Sequence, residues 1–347
     1  MRKFNYKEIE NKKWDNEIVS YVARLHEYKA KQEIFLQQKP QALEKLVEIA
    51  KIQSTESSNE IEGIRTTNTR LQQLLSEKTT PQNRAEEEIA GYKEVLNLIH
   101  ENYNYIKIDK NHILQLHKVL YQYSAKNIGG NFKSVQNYIT IQNSSGESHT
   151  LFTPLAPYET PQAVEDICNE FNQALANSNI EPLILIPIFI HDFLCIHPFL
   201  DGNGRMSRLL TTLLLYKSGF FVGKYISLEN KISKTKNQYY TALEIAQKDW
   251  YGGKENAEEF IKYILGIILS AYRDLEERVK IISSKDKSYE IVKKATSFII
   301  GKFTKKGVVE LCPGISEKTI ERVLKTLVEE NFISKNGQGK NTFYLKQ

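Results

Sequence analysis

Residues 182 to 219 constrain this chain more than any other stretch. Pro182 to Cys195 (PLILIPIFIHDFLC) is almost continuously apolar, and Leu209 to Tyr216 (LLTTLLLY) is apolar again until Gly219. Between them lies a polar segment, His197-Pro198-Phe199-Leu200-Asp201-Gly202-Asn203-Gly204-Arg205-Met206-Ser207-Arg208. Both flanks read as buried helices, so the segment between is a short loop that opens directly onto a helix N-terminus. Gly202 and Gly204 have no Cβ, so the backbone there can turn sharply and approach a ligand closely. The unpaired N–H groups of the new helix, at its positive dipole end, make a pocket for an anion. Arg205 and Arg208 lie three residues apart on that helix and are expected to reach around the anion together. Asp201 offers hard oxygens to a divalent cation, and His197 can take a proton near neutral pH. Phe199 is expected to point into the core and anchor the loop. These groups together describe chemistry at a phosphate.

The same residues match the Fic family signature, HPFx(D/E)GN(G/K)RxxR, at every fixed position, and the chain resembles that family over roughly residues 40–275. The resemblance implies a mainly α fold, a helical core with a β-hairpin flap, and transfer of AMP from ATP to a Ser, Thr or Tyr hydroxyl of a target protein, itself included. It implies His197 as general base, Mg2+ on Asp201, and Gly202, Asn203, Gly204, Arg205 and Arg208 around the phosphates. Upstream, Ser57-Ser58-Asn59-Glu60-Ile61-Glu62-Gly63 reads locally as a polar helix end closed by Gly63. Beside the signature, Ser58-x-x-x-Glu62-Gly63 also matches the (S/T)xxxE(G/N) inhibitory motif of one class of the family. There the Glu pairs with the second signature arginine, here Arg208, taking the charge position that a nucleotide γ-phosphate needs. Tyr240 and Leu243 match the adenine-pocket helix of relatives, whereas Gln247 stands where an Asn is frequent. Lys133 replaces an arginine in the corner Gly129-Gly130-Asn131-Phe132-Lys133; without the bidentate fork, whatever that corner orders is expected to be looser.

Local patterns fill in the rest. Trp14–Gln37 and Gln41 to about Ser54 read as amphipathic helices, Pro81 as the start of a Glu-rich helix through Leu98, and Asp109 as the cap of a helix to Tyr121. Val135–Ile141 alternates, Asn143-Ser144-Ser145-Gly146 is a turn, and Ser148–Phe152 returns, which is a hairpin. Read as the family's flap, it would hold a target strand through Val135, Ile139 and Ile141, because an exposed edge pairs without demanding a particular sequence. Helices over Gln162–Ala176, Gln238–Gln247 and Ala257–Glu277 complete the body.

Charge separates a tail from that body. The chain has a net charge of +5, and residues 286–347 hold 12 Lys and Arg against 7 Asp and Glu, so the whole excess lies in the last 62 residues. Helical patterns at Tyr289–Ile300, Gly307–Leu311 and Ser316–Glu330, then strands Phe332–Ser334 and Thr342–Leu345 around a glycine-rich turn, read as a winged helix-turn-helix. Thr319, Arg322 and Lys325 on the third helix would face DNA, although Glu317, Glu321 and Glu329 dilute that face. The expected division is a helical region with the inhibitory motif (1–108), a catalytic core (109–280) and the winged helix (286–347).

No apolar run reaches the roughly 20 residues of a membrane span, and the basic N-terminus lacks an apolar h-region. Cys168, Cys195 and Cys312 lie far apart outside any CxxC spacing, so a cytoplasmic location with reduced thiols is expected. A homodimer is compatible with the sequence. Two other functions stay open: the same pocket could remove AMP or transfer another phosphate-bearing group, or the chain could be a DNA-binding regulator whose Fic domain senses a nucleotide.

Overall fold

The computed structural model describes residues 2–38, 40–76, 78–142, 148–177, 179–283, 288–299 and 301–346. The fold is mainly helical. Five helices open it: α1 (Asn16–Gln38), α2 (Pro40–Ile61), α3 (Asn68–Leu75), α4 (Arg84–Asn102) and α5 (Lys110–Leu120). A two-stranded antiparallel ribbon follows, β1 (Ile139–Gln142) and β2 (Ser148–Phe152). Six helices complete the body: α6 (Thr160–Ala176), α7 (Pro182–Ile196), α8 (Asn203–Lys217), α9 (Leu228–Lys234), α10 (Lys236–Ala246) and α11 (Glu258–Ser283). The C-terminal segment holds α12 (Ser288–Phe298), α13 (Lys305–Leu311) and α14 (Glu317–Glu329), then β3 (Ile333–Asn336) paired antiparallel with β4 (Phe343–Lys346).

The apolar runs flanking the loop become α7 and α8, and both are buried almost all round. Leu183, Leu185, Ile186, Phe189, Phe193 and Ile196 of α7 are fully buried, as are Met206, Leu209, Leu210 and Leu213 of α8. A helix without a polar face has to sit at the centre, and α7 packs against α6, α8 and α11. Phe4, Ile18 and Leu46 join the same cluster, so the N-terminal helices and the centre share one core. A second cluster gathers Val292, Ala295, Phe303, Val308, Ile320, Leu324, Leu327, Ile333 and Tyr344 from the C-terminal segment.

Several boundaries differ from the sequence reading for local reasons. Asp109 caps α5 as expected, accepting from the His112 N–H at 2.8 Å. The Glu-rich helix starts at Arg84 rather than Pro81, because Asn83 is the cap, with Oδ1 3.0 Å from the Glu86 N–H. α2 continues past Ser54 to Ile61, and Gly63 at φ 78° ends it. Ser58 and Glu62 therefore occupy the last helical turn and its exit. β1 begins at Ile139, not Val135, since Gln136 and Asn137 spend their side chains on the backbone of neighbouring loops. Val135 is thus outside the ribbon. The turn at Asn143–Gly146 and the Ile141 side chain lie outside the described residues. Among the described residues no helix is long and apolar enough to cross a membrane.

Candidate functional site

The loop between α7 and α8 has an unusual backbone. His197 closes α7 with its N–H on the Phe193 carbonyl at 2.9 Å and adopts a left-handed conformation, φ 50° and ψ 62°. For a residue with a Cβ that conformation costs about 1–2 kcal/mol. Its Nδ1 lies 3.3 Å from the Leu194 carbonyl. A carbonyl only accepts, so Nδ1 carries the proton and Nε2 keeps its lone pair. Burial lowers the His197 pKa to about 4; the Leu194 carbonyl opposes this, Lys133 adds to it, and Glu62 and Asp201 oppose it. At neutral pH the ring is an uncharged base.

Beyond it, the loop is tied down from within. Asn203 Oδ1 accepts from the Phe199 N–H at 2.9 Å and its Nδ2 donates to the Phe199 carbonyl at 2.8 Å. The Asn203 side chain is thus a staple of the loop and does not face a ligand. Phe199 is fully buried, as expected, and stacks on His117 with centroids 3.7 Å apart. His117 is a residue the sequence did not single out. Its Nδ1 accepts from the Gly130 N–H at 3.0 Å, which leaves Nε2 as the donor to the Asp201 carbonyl at 3.1 Å. Gly202 turns at φ 84° with Tyr121 against it, and α8 starts at Asn203, its first backbone bond running from Met206 N to Gly202 O. The preceding N–H groups of α8 are the ones a helix start leaves for a ligand.

The two arginines diverge, which corrects the expectation that both embrace one anion. Arg208 donates from Nε to Ser58 Oγ at 2.8 Å, and from Nη2 to the Ser58 carbonyl at 2.9 Å and Glu62 Oε1 at 2.8 Å. Arg205 turns inward instead. Its Nη2 sits 2.8 Å from Glu88 Oε2 and donates to the Tyr121 hydroxyl at 2.7 Å, while Nε and Nη1 have no hydrogen-bond partner among the described residues. Three residues along a helix leave an angular offset, and a carboxylate from a different helix captures each guanidinium: Glu62 after α2 and Glu88 on α4. Glu88 was visible in the sequence only as one of three consecutive glutamates, with nothing to mark it.

Gly204 has a specific reason to be glycine. A Cβ there would run into Glu62 Oε1, so the carboxylate lies directly on the backbone at the start of α8. Asp201 is more exposed. Its Oδ1 accepts from the Gly202 N–H at 2.7 Å, and Oδ2 pairs with Arg84 Nη2 at 3.0 Å. One carboxylate of this kind fits Mg2+ that arrives on substrate phosphates, because that ion takes one or two protein carboxylates and leaves the rest to phosphate and water. Among the described residues there is no group of three or more His, Cys, Asp or Glu able to hold a metal unaided.

A cleft of about 700 Å³ opens beside this loop, lined among others by Glu62, His197, Gly204, Arg208, Tyr240, Leu243, Gln247 and Ile139. The structure therefore brings the histidine, the Glu62 carboxylate, the second arginine, the three residues expected around an adenine and the edge of the ribbon to one cavity. Its size falls within the usual range for small-molecule sites. Ser58, Asp201, Gly202, Asn203, Arg205 and Val135 do not line it. Lys133, which stands in the arginine position, is buried, with Nζ 3.0 Å from both the Ile196 carbonyl and Asn137 Oδ1, and burial lowers its pKa to about 8.

Comparison with known proteins gives the chain a family. Residues 107–215 match the Fic/DOC family. A Fido domain-containing protein of Dictyostelium discoideum is 30% identical over 123 residues, covering 34% of this chain and 82% of that protein. Protein adenylyltransferase fic-1 of Caenorhabditis elegans is 28% identical over 149 residues, but these span 43% of this chain and only 26% of that one. In fold, the chain is similar to a Fic family protein from Desulfovibrio desulfuricans, with a TM-score of 0.61, 20% identity and 97% of each chain covered. With the signature loop, the helices that cradle it and these relatives all in accord, the chain belongs to the Fic/DOC family.

Proposed function

We propose that this protein transfers AMP from ATP to a Ser, Thr or Tyr hydroxyl of a protein, itself included, and that Glu62 holds the enzyme at rest. The single observation that carries this reading is the 2.8 Å contact of Glu62 with Arg208 in the same cleft as an uncharged His197. In the transfer, the hydroxyl oxygen attacks the α-phosphorus, its proton passes to His197 Nε2, and the bond from the α-phosphorus to the pyrophosphate oxygen breaks. A base placed in this way contributes roughly 10²–10⁴-fold. The N–H groups at the start of α8 and a freed Arg208 stabilise charge on the departing pyrophosphate. Asp201 would hold Mg2+, and the ion would supply neutralisation of the phosphate charge. Tyr240 and Leu243 give the adenine an aromatic face and an apolar wall, with Gln247 at its edge. Arg205 would act from behind the wall, through Tyr121 and Glu88.

The ribbon supports target docking. Among the described residues β1 pairs only with β2, so its other edge is open to an incoming strand, and Ile139 borders the cleft. The three described cysteines are free and buried, which suits a reducing compartment such as the cytoplasm. The C-terminal elements have the order of a winged helix, but the α14 surface mixes charge: Lys305 lies 3.0 Å from Glu317 and 3.3 Å from Glu321. That pairing weakens the DNA reading, and a salt-dependent gel shift of the full chain tests it. AMP removal stays the second reading, favoured by a carboxylate in the cleft that could position water. Intact-mass measurement after incubation with ATP and Mg2+, on wild type and Glu62→Gly, tests the main proposal. An AMP adduct that rises in the variant supports it, and no adduct in either rejects it.

A further inference from the structure

Four consecutive carbonyls, from the last residue of α7 into the loop that follows, accept hydrogen bonds from two residues on the approach to the ribbon. Lys133 Nζ donates to Ile196 O at 3.0 Å. Asn137 Nδ2 donates to His197 O at 3.3 Å and to Phe199 O at 3.0 Å, and the Lys133 backbone N–H donates to Pro198 O at 2.9 Å. The two side chains are also joined to each other, Lys133 Nζ to Asn137 Oδ1 at 3.0 Å. One short segment thus reads an unbroken run of loop carbonyls. The run includes His197 and both its neighbours; the left-handed backbone of His197 would relax if they allowed it, and such strain persists only where the surroundings over-determine it. We infer that Asn137 and Lys133 are positioning residues for His197: they hold its backbone in the left-handed conformation that aims Nε2 into the cleft, and they tie that aim to the ribbon two residues downstream.

The chemistry explains the residue types. The loop presents only acceptors to this segment, so its partner has to be rich in donors. A buried ammonium has three donors and can serve a carbonyl and an amide oxygen at once, and the Asn137 amide offers two donors to the loop and one acceptor to the lysine. A carboxylate at 137 would keep the size but face two carbonyls with lone pairs. The charge of Lys133 is tolerated in a buried position because both its neighbours are strong acceptors.

The inference rests on His197 being the base of the proposed transfer, and the test separates the two. In the Glu62→Gly background, Asn137→Asp and Asn137→Leu are compared with Lys133→Arg, which retains donors, by self-labelling with radiolabelled ATP and by ¹⁵N imidazole spectra of His197. Both Asn137 variants should lower kcat roughly 100-fold, the scale set by a misplacement of about 1 Å, with KM for ATP within about twofold. The His197 imidazole resonances should move in step, and Lys133→Arg should keep most of the rate. A kcat within about twofold of the parent with unmoved resonances overturns the inference. So does a loss expressed in KM, which would place Asn137 in nucleotide binding. If the Glu62→Gly parent labels nothing, the proposed activity fails, yet the His197 resonances of the Asn137 variants still decide the positioning role. Lys133→Met, read by the same spectra, serves if an Asn137 variant does not fold.

Discussion

Replacing Glu62 with Gly tests the resting state by thermodynamics as well as by activity. The variant loses the contact from Arg208 Nη2 to Glu62 Oε1 but keeps both bonds to Ser58, so Arg208 is not left orphaned. Glu62 is about a third exposed on its side chain while Arg208 is almost fully buried (32% and 4%). The lost bond therefore belongs at the low end of the range for a hydrogen bond to a charged group, about 1.5 kcal/mol. A chain of 347 residues unfolds with an entropy near 0.7 kcal/mol/K, so the melting midpoint should fall by about 2 °C without ligand.

Ligand should reverse the order. On the proposed reading, a γ-phosphate in the variant would take the place of the carboxylate on Arg208. ATP with Mg2+ at about 100 times its Kd adds roughly 2.7 kcal/mol, or about 4 °C on the same scale. In wild type the carboxylate competes for that place, so the gain at equal ATP should be smaller. The assay is a thermal melt of both proteins with and without ATP, alongside self-labelling. Equal ATP-induced shifts in the two proteins, with no rise in labelling, would refute the competition and reduce the Ser58–Gly63 motif to a helix end.

Other consequences are equally direct. His197→Ala should abolish label transfer while the ATP-induced melting shift survives; labelling at the parent rate rejects the base. Because burial lowers His197 to about 4, the ring is still uncharged at pH 5, and removing Glu62 takes away one group that opposes the depression, so the acid limb of labelling by Glu62→Gly should fall at or below about 4 and not near the ordinary value of about 6.5. The same depression means that the unfolded chain binds a proton between those values and the folded chain does not, so stability should decline as pH drops through that window; a pH series of rates and melts reads both. Gly204→Ala should destabilise wild type more than Glu62→Gly, because the added Cβ meets Glu62 Oε1, and a coupling below about 0.5 kcal/mol in the double-mutant melt would contradict the contact. His117→Phe keeps the stack on Phe199 but removes the partners of the Gly130 N–H and the Asp201 carbonyl, both only partly buried, at a cost of about 1 kcal/mol for each, which denaturant unfolding can measure.

What the sequence revealed and what it hid follow from the range of the forces involved. Continuous apolar runs made α7, the second half of α8 and the loop between them legible, since a stretch that is apolar all round can go only to the centre. The pairing of Glu62 with Arg208, 146 residues apart, was legible only through resemblance to a family motif, because nothing in local pattern links them. The side-chain destinations inside the signature were not legible. Asn203 and Arg205 read as phosphate ligands by type and spacing, but the loop had a carbonyl and an N–H to satisfy and α4 had a buried carboxylate to neutralise. Those needs arise only when distant segments meet. His117 and Asn137 were hidden for the same reason: each satisfies backbone groups of a loop that is remote in sequence.

The geometry of α2 also limits how the proposed inhibition could be lifted. Ser58 and Glu62 are four residues apart, so one helical turn presents a hydroxyl, a carbonyl and a carboxylate to Arg208, and Gly63 ends the helix immediately afterwards. Ser58 is fully buried, and the same helix is anchored in the core by Leu46, Ala50 and Ile61. Withdrawing α2 would expose all of these, whereas the Glu62 side chain is already partly in water and can rotate without moving the backbone. Swinging the carboxylate therefore costs one charge-assisted bond, while shifting the helix costs several buried side chains at roughly 1.5–3 kcal/mol each. The cheaper route leaves both Ser58 bonds to Arg208 intact, so under the proposed inhibition the serine of the motif would serve the active state as much as the resting one.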